Sequence, residues 1–367
     1  MCDVHTLTYG DSTMYTATIN ELRKVIPTIG VELTPIIQSE PGCGKTSLLN
    51  MIKEDIGEGY DYVYVDCPVM DMSDISMTIP NHTSKSLENY VGSIFKLDSD
   101  KPKVILLDEF MKAPKMLQVI FTRLMLERSV GDRQLPEGSI VFGTSNNQSD
   151  GVGDTMLAHA GNRVCLMRME KPNADVWLPW ATDNNVHPLI RAFVHMYPRC
   201  LNSYLDSEDT ENPYIFNPRN PQLSYASPRS LAKSSVILEN RETLGVNATA
   251  CALAGTIGAS ASADMTALME AEKEIPSYEQ ILNKPTEVAV PDSISAQLMT
   301  VFMLIDRVDT NDTVTKAMTY VKRYNAEEMQ AVFFTMMLRG KRTRKLAMHN
   351  DTIKKWQIEN AVILTEL

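Results

Sequence analysis

The sequence predicts an α/β fold, in which a parallel β-sheet lies between two layers of helices and a mainly helical region follows. Three observations lead to this prediction. Short apolar segments alternate with helical patterns over about the first 170 residues, these segments contain few polar positions, and the pattern becomes almost entirely helical beyond Lys171. A strand covered on both faces needs apolar side chains on both, so continuous apolar segments indicate a buried parallel sheet.

The predicted strands are short and rich in branched or aromatic residues. They cover residues 33–38, 60–66, 103–108, 139–145 and 163–169. Helical patterns lie between them, as in residues 114–128, where Leu117, Phe121 and Leu124 recur at helical spacing. Such alternation of strands and helices is typical of a parallel sheet with helices on both sides.

The second half of the chain predicts helices joined by irregular segments. Residues 206–228 are rich in Pro and Asn and are expected to form an irregular connector. A helix is expected from about Pro228, a linker over residues 284–292, and a late helix that ends at Gly340.

The composition is that of a soluble globular protein, with 44% apolar and 22% charged residues in a chain of 367. No apolar run approaches the roughly 18–20 residues that cross a bilayer, and the N-terminus lacks the features of a secretory signal. Six cysteines without paired spacing favour free thiols in a reducing compartment. We therefore expect a cytoplasmic protein with no membrane association, located in the host cytoplasm if the sequence is viral.

The chain is acidic, with a net charge of −11. An acidic chain repels a phosphate backbone, which disfavours nucleic-acid binding as the main activity. One basic segment, RGKRTRK at residues 339–345, departs from this balance. We interpret it as a solvated helix end followed by a cationic loop, with a contact for an acidic partner or a nucleic acid as the alternative.

A glycine-rich turn connects the first predicted strand to a helix in the stretch IIQSEPGCGKTSLLNMI, residues 36–52. Gly44-Lys45-Thr46 matches the end of the phosphate-binding pattern Gly-x4-Gly-Lys-Ser/Thr, with Ser39 where glycine is usual. Glycines let backbone N–H groups converge on phosphate oxygens, and the N-terminus of the following helix favours the same anion. The alternative is a tight turn with an incidental lysine.

We expect Lys45 to contact the β- and γ-phosphates of a nucleotide and the hydroxyl of Thr46 to hold Mg²⁺. The loop residues predicted to bind the nucleotide are Ser39, Glu40, Pro41, Gly42, Cys43, Gly44, Lys45, Thr46 and Ser47.

Two further segments place polar residues at the ends of predicted strands. KVILLDEF ends in Asp108 and Glu109; Asp108 is expected to supply the second protein contact to Mg²⁺, and Glu109 to polarise a water for attack on the γ-phosphate. VFGTSNN ends in Asn146 and Asn147, of which Asn146 is the first candidate to orient that water or contact the γ-phosphate. The alternatives are an acidic strand end and an Asn-rich turn.

Taken together, these residues resemble the AAA+ ATPases, and residues 106–130 resemble the MoxR-type, dynein-related branch in particular. The residues that carry this resemblance are Asp108, Glu109, Lys112, Ala113, Pro114, Gln118, Glu127 and Arg128. Lys112 stands where arginine is commoner. The stretch FGTSNNQSDGVGD occupies the place of the family's sensor strand, with Asn147 where proline is usual.

The resemblance implies a five-stranded αβα sandwich over residues 1–170, a helical lid over 171–284 and a C-terminal helical extension over 285–367. It also implies ATP and Mg²⁺ at the subunit boundaries of a ring, expected to be a hexamer. Arg163 matches the place of the family's arginine finger, and Arg229 the place of its second sensor. A cation on the developing charge of the γ-phosphate would lower the barrier to hydrolysis.

The leading hypothesis for function is an ATPase that remodels or assembles a separate client protein, which in this branch often has a von Willebrand factor A-type domain. Residues 69–93 are the expected substrate contact, with packed methionines and a packed Tyr90 as the alternative. Two other functions stay open at this point: a nucleic-acid motor or loader of the same superfamily, and a nucleotide-gated scaffold with little turnover.

Overall fold

A computed structural model describes residues 6–9, 12–147, 163–205, 211–217 and 221–360, with side chains from residue 15 onward. The chain divides into two compact units, Met1–Lys171 and Pro172–Leu367. The three-part division at residues 170 and 284 stays a prediction.

The first unit is built on one seven-stranded sheet and two small hairpins. The described strands of the chain are Thr6–Tyr9 (β1), Ser12–Ala17 (β2), Pro35–Ser39 (β3), Asp61–Asp66 (β4), Ser76–Asn81 (β5), Ser86–Val91 (β6), Lys103–Asp108 (β7), Ser129–Val130 (β8), Arg133–Gln134 (β9), Ile140–Asn146 (β10) and Cys165–Met169 (β11). The described helices of this unit with at least four residues are Ile19–Ile29 (α1), Ser47–Ile56 (α2), Met72–Ile75 (α3) and Lys115–Glu127 (α4).

The five predicted strands are confirmed as parallel neighbours, in the order β11-β3-β10-β7-β4. Two strands of this sheet were not predicted: β1 and β2 form an antiparallel hairpin, and β2 extends the sheet beside β11. The segment STMYTA of β2 has no continuous apolar run, so the criterion that identified the buried strands does not apply to it. The sheet is therefore larger than the five-stranded one that the family resemblance implies.

Hydrophobic residues fill both faces of the sheet, which confirms the layered fold. On one face, Ile36 belongs to a buried cluster that also contains Phe121 of α4. On the other face, its neighbour Ile37 belongs to a cluster with Leu22 of α1 and Leu48 of α2. Successive side chains of a strand point to opposite faces, so a strand between two helical layers must be apolar throughout.

The segment 69–93 forms the short helix α3 and the antiparallel hairpin β5–β6. Met77 and Tyr90 face each other across the hairpin and are 51% and 55% exposed. The alternative that these two residues are packed in the core is therefore wrong. A contact of this hairpin with a substrate stays a prediction.

The described part of the second unit contains helices and no strand. Its helices with at least five residues are Ala174–Asp183 (α5), Pro188–Met196 (α6), Pro228–Lys233 (α7), Ser235–Glu239 (α8), Arg241–Ile257 (α9), Ala259–Ala271 (α10), Tyr278–Asn283 (α11), Ile294–Arg307 (α12), Asn311–Val321 (α13), Glu327–Arg339 (α14), Lys341–His349 (α15) and Asp351–Glu359 (α16). One buried cluster includes Leu253 of the predicted lid and Trp356 of the predicted extension. Within 206–228, residues 211–217 and 221–227 form neither helix nor strand, and the others before Pro228 lie outside the described residues.

The basic segment 339–345 differs from its prediction. Instead of a cationic loop, its residues from Lys341 onward form α15. Arg342 donates hydrogen bonds to the backbone carbonyls of Ile305, Asp306 and Val308, at and just beyond the C-terminal end of α12. These carbonyls have no partner within their own helix, so Arg342 has a structural role there.

No helix of the described residues is long and apolar enough to cross a membrane.

Candidate active site

The glycine-rich turn connects β3 to α2 at the carboxyl edge of the sheet. Gly42 and Gly44 have φ values of 79° and 96°, a conformation that favours glycine. Ser39, at the position where the pattern has glycine, is the last residue of β3 and is buried. The loop therefore keeps the two glycines that the turn needs, and Ser39 occupies an ordinary strand position.

The ammonium of Lys45 lies over this loop, buried among oxygen atoms. Its Nζ donates to the backbone carbonyls of Ser39 and Glu40, at 2.9 and 3.1 Å, and to the hydroxyl of Ser39 at 3.1 Å. It also donates to Oδ1 of Asn146 at 2.9 Å. Lys45 and Asn146 are 101 residues apart, and they meet because β3 and β10 are parallel neighbours, with Ser39 paired with Asn146.

Asp108, at the end of β7, accepts hydrogen bonds from three hydroxyl groups. Its Oδ2 accepts from Thr46 Oγ1 at 2.9 Å and from the Tyr64 hydroxyl at 3.0 Å, and its Oδ1 accepts from the Thr144 hydroxyl. A hydroxyl and a carboxylate oxygen are ligands that Mg²⁺ prefers, and it takes the rest of its shell from phosphates and water. The adjacent Thr46 and Asp108 thus fit the predicted metal site.

Glu109 follows Asp108 and has its backbone in the left-handed region, with φ 50° and ψ 37°. Its N–H donates to the Thr144 hydroxyl at 3.1 Å. Its carboxylate pairs with Lys112 Nζ at 2.8 Å and accepts from Asn146 Nδ2 at 3.5 Å. Non-glycine residues rarely adopt this conformation, and those that do are found preferentially at functional sites. Glu109 is oriented by contacts on both of its oxygens, and its side chain is 35% exposed.

The side chains of two further loop residues, Glu40 and Cys43, are also buried within the protein. The carboxylate of Glu40 forms an ion pair with Lys171 at 3.4 Å, and both side chains are at most 5% exposed. The thiol of Cys43 is buried, and burial, with a further contribution from the negative charge of Glu40, raises its pKa to about 12. Cys43 is therefore a neutral thiol at physiological pH, and a nucleotide contact at this position would come from its backbone.

The two predicted arginines are exposed, and neither belongs to the hydrogen-bonded network just described. Arg163 precedes β11, whose first residue Cys165 pairs with Pro35 at the start of β3, whereas the glycine-rich loop follows the end of β3. At about 3.3 Å per residue, β3 separates these two edges of the sheet by roughly 13 Å. Arg163 therefore lies at the edge opposite the loop of its own chain. Arg229 belongs to α7 in the second unit, and its contact with a nucleotide stays a prediction.

Sequence reasoning missed three residues that complete this site: Tyr64, Thr144 and Lys171. Thr144 could have been found, because it lies two residues before Asn146 on the same strand and so faces the same side. Tyr64 and Lys171 had no local pattern to identify them. The end of the predicted sensor stretch, from Gln148 onward, lies outside the described residues.

A parallel sheet with a glycine-rich loop leading into a helix, and with an acidic residue at the end of a nearby strand, is characteristic of a P-loop nucleotide-binding domain. Residues 36–150 match the family model described as "ATPase family associated with various cellular activities (AAA)". The match is shorter than half of the chain and contains the glycine-rich loop, Asp108, Glu109 and Asn146. It supports an AAA-type domain over these residues and, in general terms, an ATP-binding and ATP-hydrolysing enzyme.

Several solved structures are similar to this chain at low sequence identity. A candidate ATPase of Cytophaga hutchinsonii is 13% identical over 86% of this chain and 79% of its own, with a TM-score of 0.30. The RuvB Holliday junction branch migration motor of Thermotoga maritima is 13% identical over 73% and 74%, with a TM-score of 0.35. NtrX of Brucella abortus in complex with ADP is 13% identical over 93% and 67%, with a TM-score of 0.32. With TM-scores below 0.5, these similarities carry no inference about function. No curated protein has a sequence that matches this chain.

Proposed function

We propose that this chain is an ATPase of the MoxR-type, dynein-related branch of the AAA+ proteins, which hydrolyses ATP with Mg²⁺ in a ring and remodels or assembles a separate client protein. One observation carries the catalytic part of the proposal: a polar network links Lys45 through Asn146 to Glu109, beside the adjacent Thr46 and Asp108. One edge of the sheet thus carries a phosphate-binding lysine, two side chains that can hold the metal, and a carboxylate that can act as the base.

The roles of these residues follow from their positions. The loop amides and Lys45 would bind the phosphates, and Lys45 would exchange the carbonyls of Ser39 and Glu40 for phosphate oxygens. Thr46 and Asp108 would hold Mg²⁺, which supplies positive charge to neutralise the phosphates. Glu109 would accept a proton from the attacking water, which Asn146 would help to orient.

The proposed branch is supported by the structural contacts of two of its motif residues. Gln118 donates to the backbone carbonyls of Met111 and Ala113 at 3.1 and 2.9 Å, and so fixes the turn after Glu109. Arg128 donates to the carbonyls of Gly30 and Val31 at 3.0 and 2.9 Å, just before β3. Both residues therefore fix segments next to the strands that position the site.

A ring is proposed because the family resemblance assigns an arginine finger to Arg163, which lies at the edge of the sheet opposite the glycine-rich loop of its own chain. Since Arg163 lies at the opposite edge of the sheet, it would act on the nucleotide of a neighbouring subunit rather than its own. Six subunits are the proposed number. Arg229 would contact the nucleotide from the second unit of the same chain.

The client would be a separate protein in the cytoplasm. A protein with a von Willebrand factor A-type domain is one candidate, because members of this branch often act with such a protein. This chain has no complete Asp-x-Ser-x-Ser motif of such a domain. The exposed hairpin β5–β6 is the proposed contact surface. A nucleic-acid motor is less well supported, because the chain is acidic and Arg342 of its basic segment is bonded internally.

The catalytic part is tested by measuring Mg²⁺-dependent ATP turnover of the wild type and of Glu109→Gln, with the exposed Glu137→Gln as the matched control. We expect Glu109→Gln to bind ATP and to lose turnover by about 100-fold or more, while Glu137→Gln behaves as the wild type. A wild type no more active than Glu109→Gln would favour the scaffold function instead.

The remodelling part is tested by capture. Glu109→Gln loaded with ATP should retain a client from a lysate of the source cells that the wild type releases, and native mass spectrometry of the same sample gives the subunit number. A loaded variant that stays monomeric would contradict the ring.

A further inference from the structure

Tyr64 reaches the metal-binding carboxylate from the edge strand of the sheet. Its hydroxyl donates to Asp108 Oδ2 at 3.0 Å, the same oxygen that accepts from Thr46 at 2.9 Å. The residue lies on β4, which pairs only with β7 in the described sheet. No pattern in the sequence distinguishes it from the tyrosines at positions 60 and 62.

The length of the tyrosine side chain accounts for this contact. In the register of the two strands, Tyr64 pairs with Leu106, two residues before Asp108. Two residues of a strand span about 6.6 Å, which a phenol can bridge and a serine or threonine cannot. Val63 and Val65 belong to the cluster on the α4 face, so Tyr64 lies on the opposite face, where α2 begins after Thr46.

The two donors on this oxygen would have different roles at a metal site. Thr46 is itself an expected metal ligand, and its hydroxyl oxygen would contact Mg²⁺. Tyr64 is not an expected metal ligand, and its hydroxyl would serve only to orient Asp108 through Oδ2, as that of Thr144 does through Oδ1. A neutral donor fixes the carboxylate and leaves its negative charge in place. A lysine at this position would instead cancel that charge.

We propose that Tyr64 is a positioning residue of the metal site, which orients Asp108 through its hydroxyl and thereby raises the affinity for the Mg²⁺–nucleotide complex. The inference rests on the proposed function, because it assumes that Thr46 and Asp108 hold Mg²⁺. Residues that orient metal ligands typically change metal affinity or activity by about 10–100-fold when mutated.

The test measures binding rather than turnover. The Kd of ADP is determined by calorimetry with Mg²⁺ and with EDTA, for the wild type, Tyr64→Phe and Tyr62→Phe. Tyr62 is the matched control, since it lies on the same strand and its hydroxyl donates to the Gly57 carbonyl, outside the site. We expect Tyr64→Phe to reduce the gain in affinity from Mg²⁺ by about 10-fold, with the Kd in EDTA unchanged, and Tyr62→Phe to match the wild type.

The inference alone is overturned if the Mg²⁺ gain in Tyr64→Phe equals that of the wild type, whether both Kd values are unchanged or both weaken equally. An Asp108→Asn background provides a second measurement, in which Tyr64→Phe should have no further effect on the Mg²⁺ gain; a full additional loss there also overturns it. If the wild type gains nothing from Mg²⁺, the proposed function itself fails.

Discussion

Lys112 and Glu109 form an ion pair, with 2.8 Å between Lys112 Nζ and Glu109 Oε2. The other carboxylate oxygen, Oε1, accepts from Asn146 at 3.5 Å. The proposed base is therefore held on two sides, from the turn that follows its own strand and from the neighbouring strand β10. Because Lys112 is assigned no contact with the metal or the phosphates, its effect on catalysis can be separated from nucleotide binding.

Lys112→Met should lower kcat for ATP hydrolysis by about 10-fold, because a small misplacement of a reacting group is costly. KM for ATP should stay within about two-fold of the wild type, since Lys112 contacts Glu109 rather than the loop. Lys112→Arg should recover most of the rate by restoring the pair. A steady-state comparison of the three proteins checks this, and an unchanged kcat in Lys112→Met would show that the pair does not position the base.

The buried pair of Glu40 and Lys171 should stabilise the glycine-rich loop. Lys171→Met leaves the Glu40 carboxylate buried without this partner, and removal of one member of a buried pair typically costs about 3–5 kcal/mol. The double variant Glu40→Gln/Lys171→Met should be more stable than the single variant Lys171→Met, because it removes both charges. Urea unfolding followed by circular dichroism measures this difference; equal stabilities for single and double variants would contradict a coupled pair.

His187 should make the stability of the second unit depend on pH. Burial, with smaller contributions from the charges of Arg241 and Arg191, lowers its pKa from 6.5 to about 4. Between these two pH values the unfolded chain therefore binds a proton more readily than the folded chain. The contribution of the neutral His187 to the free energy of unfolding is complete above pH 6.5 and is lost as the pH falls towards 4. The loss is on the order of 3 kcal/mol.

The variant His187→Asn isolates this contribution. The His187 ring accepts from the Leu189 N–H at the start of α6, and asparagine is also a favourable residue at that position but does not titrate there. All three tryptophans, Trp177, Trp180 and Trp356, belong to the second unit, so their fluorescence reports its unfolding. His187→Asn should show a weaker loss of stability between pH 6.5 and 4, and a slope identical to that of the wild type would refute the assignment.

The contrast between Asn146 and Tyr64 explains how much of the site could be predicted. Asn146, Asp108 and Lys45 could be brought together from the sequence, because the carboxyl ends of parallel strands and the loop after β3 meet at one edge of a sheet. The five inner strands could be found for a related reason, since burial on both faces leaves a continuous apolar run.

Tyr64 and Lys171 could not be predicted, because their contacts depend on the register between strands and on the direction of one long side chain. The hairpins β1–β2 and β5–β6 were missed for a different reason. Their strands lack an apolar run, and every described residue of β6 except Val91 is exposed. The branch and the arginine roles came from family resemblance and have no local physical pattern behind them, so they stay proposals.

The proposed action of Arg163 on a neighbouring subunit can be tested by mixing two inactive variants. Arg163→Ala keeps an intact site with Glu109 but lacks the cation for its neighbour, whereas Glu109→Gln lacks the base but keeps Arg163. In a mixed ring, the site of an Arg163→Ala subunit can face Arg163 of a Glu109→Gln subunit, and both groups then meet at one nucleotide.

ATP turnover of an equimolar mixture should therefore exceed that of either variant alone, after the subunits are exchanged at low protein concentration and reassembled with ATP. Mixing Glu109→Gln with a Glu109→Gln/Arg163→Ala double variant is the control, because no intact site can form. Full turnover by Arg163→Ala alone, or a mixture no more active than this control, would remove Arg163 from the proposed mechanism.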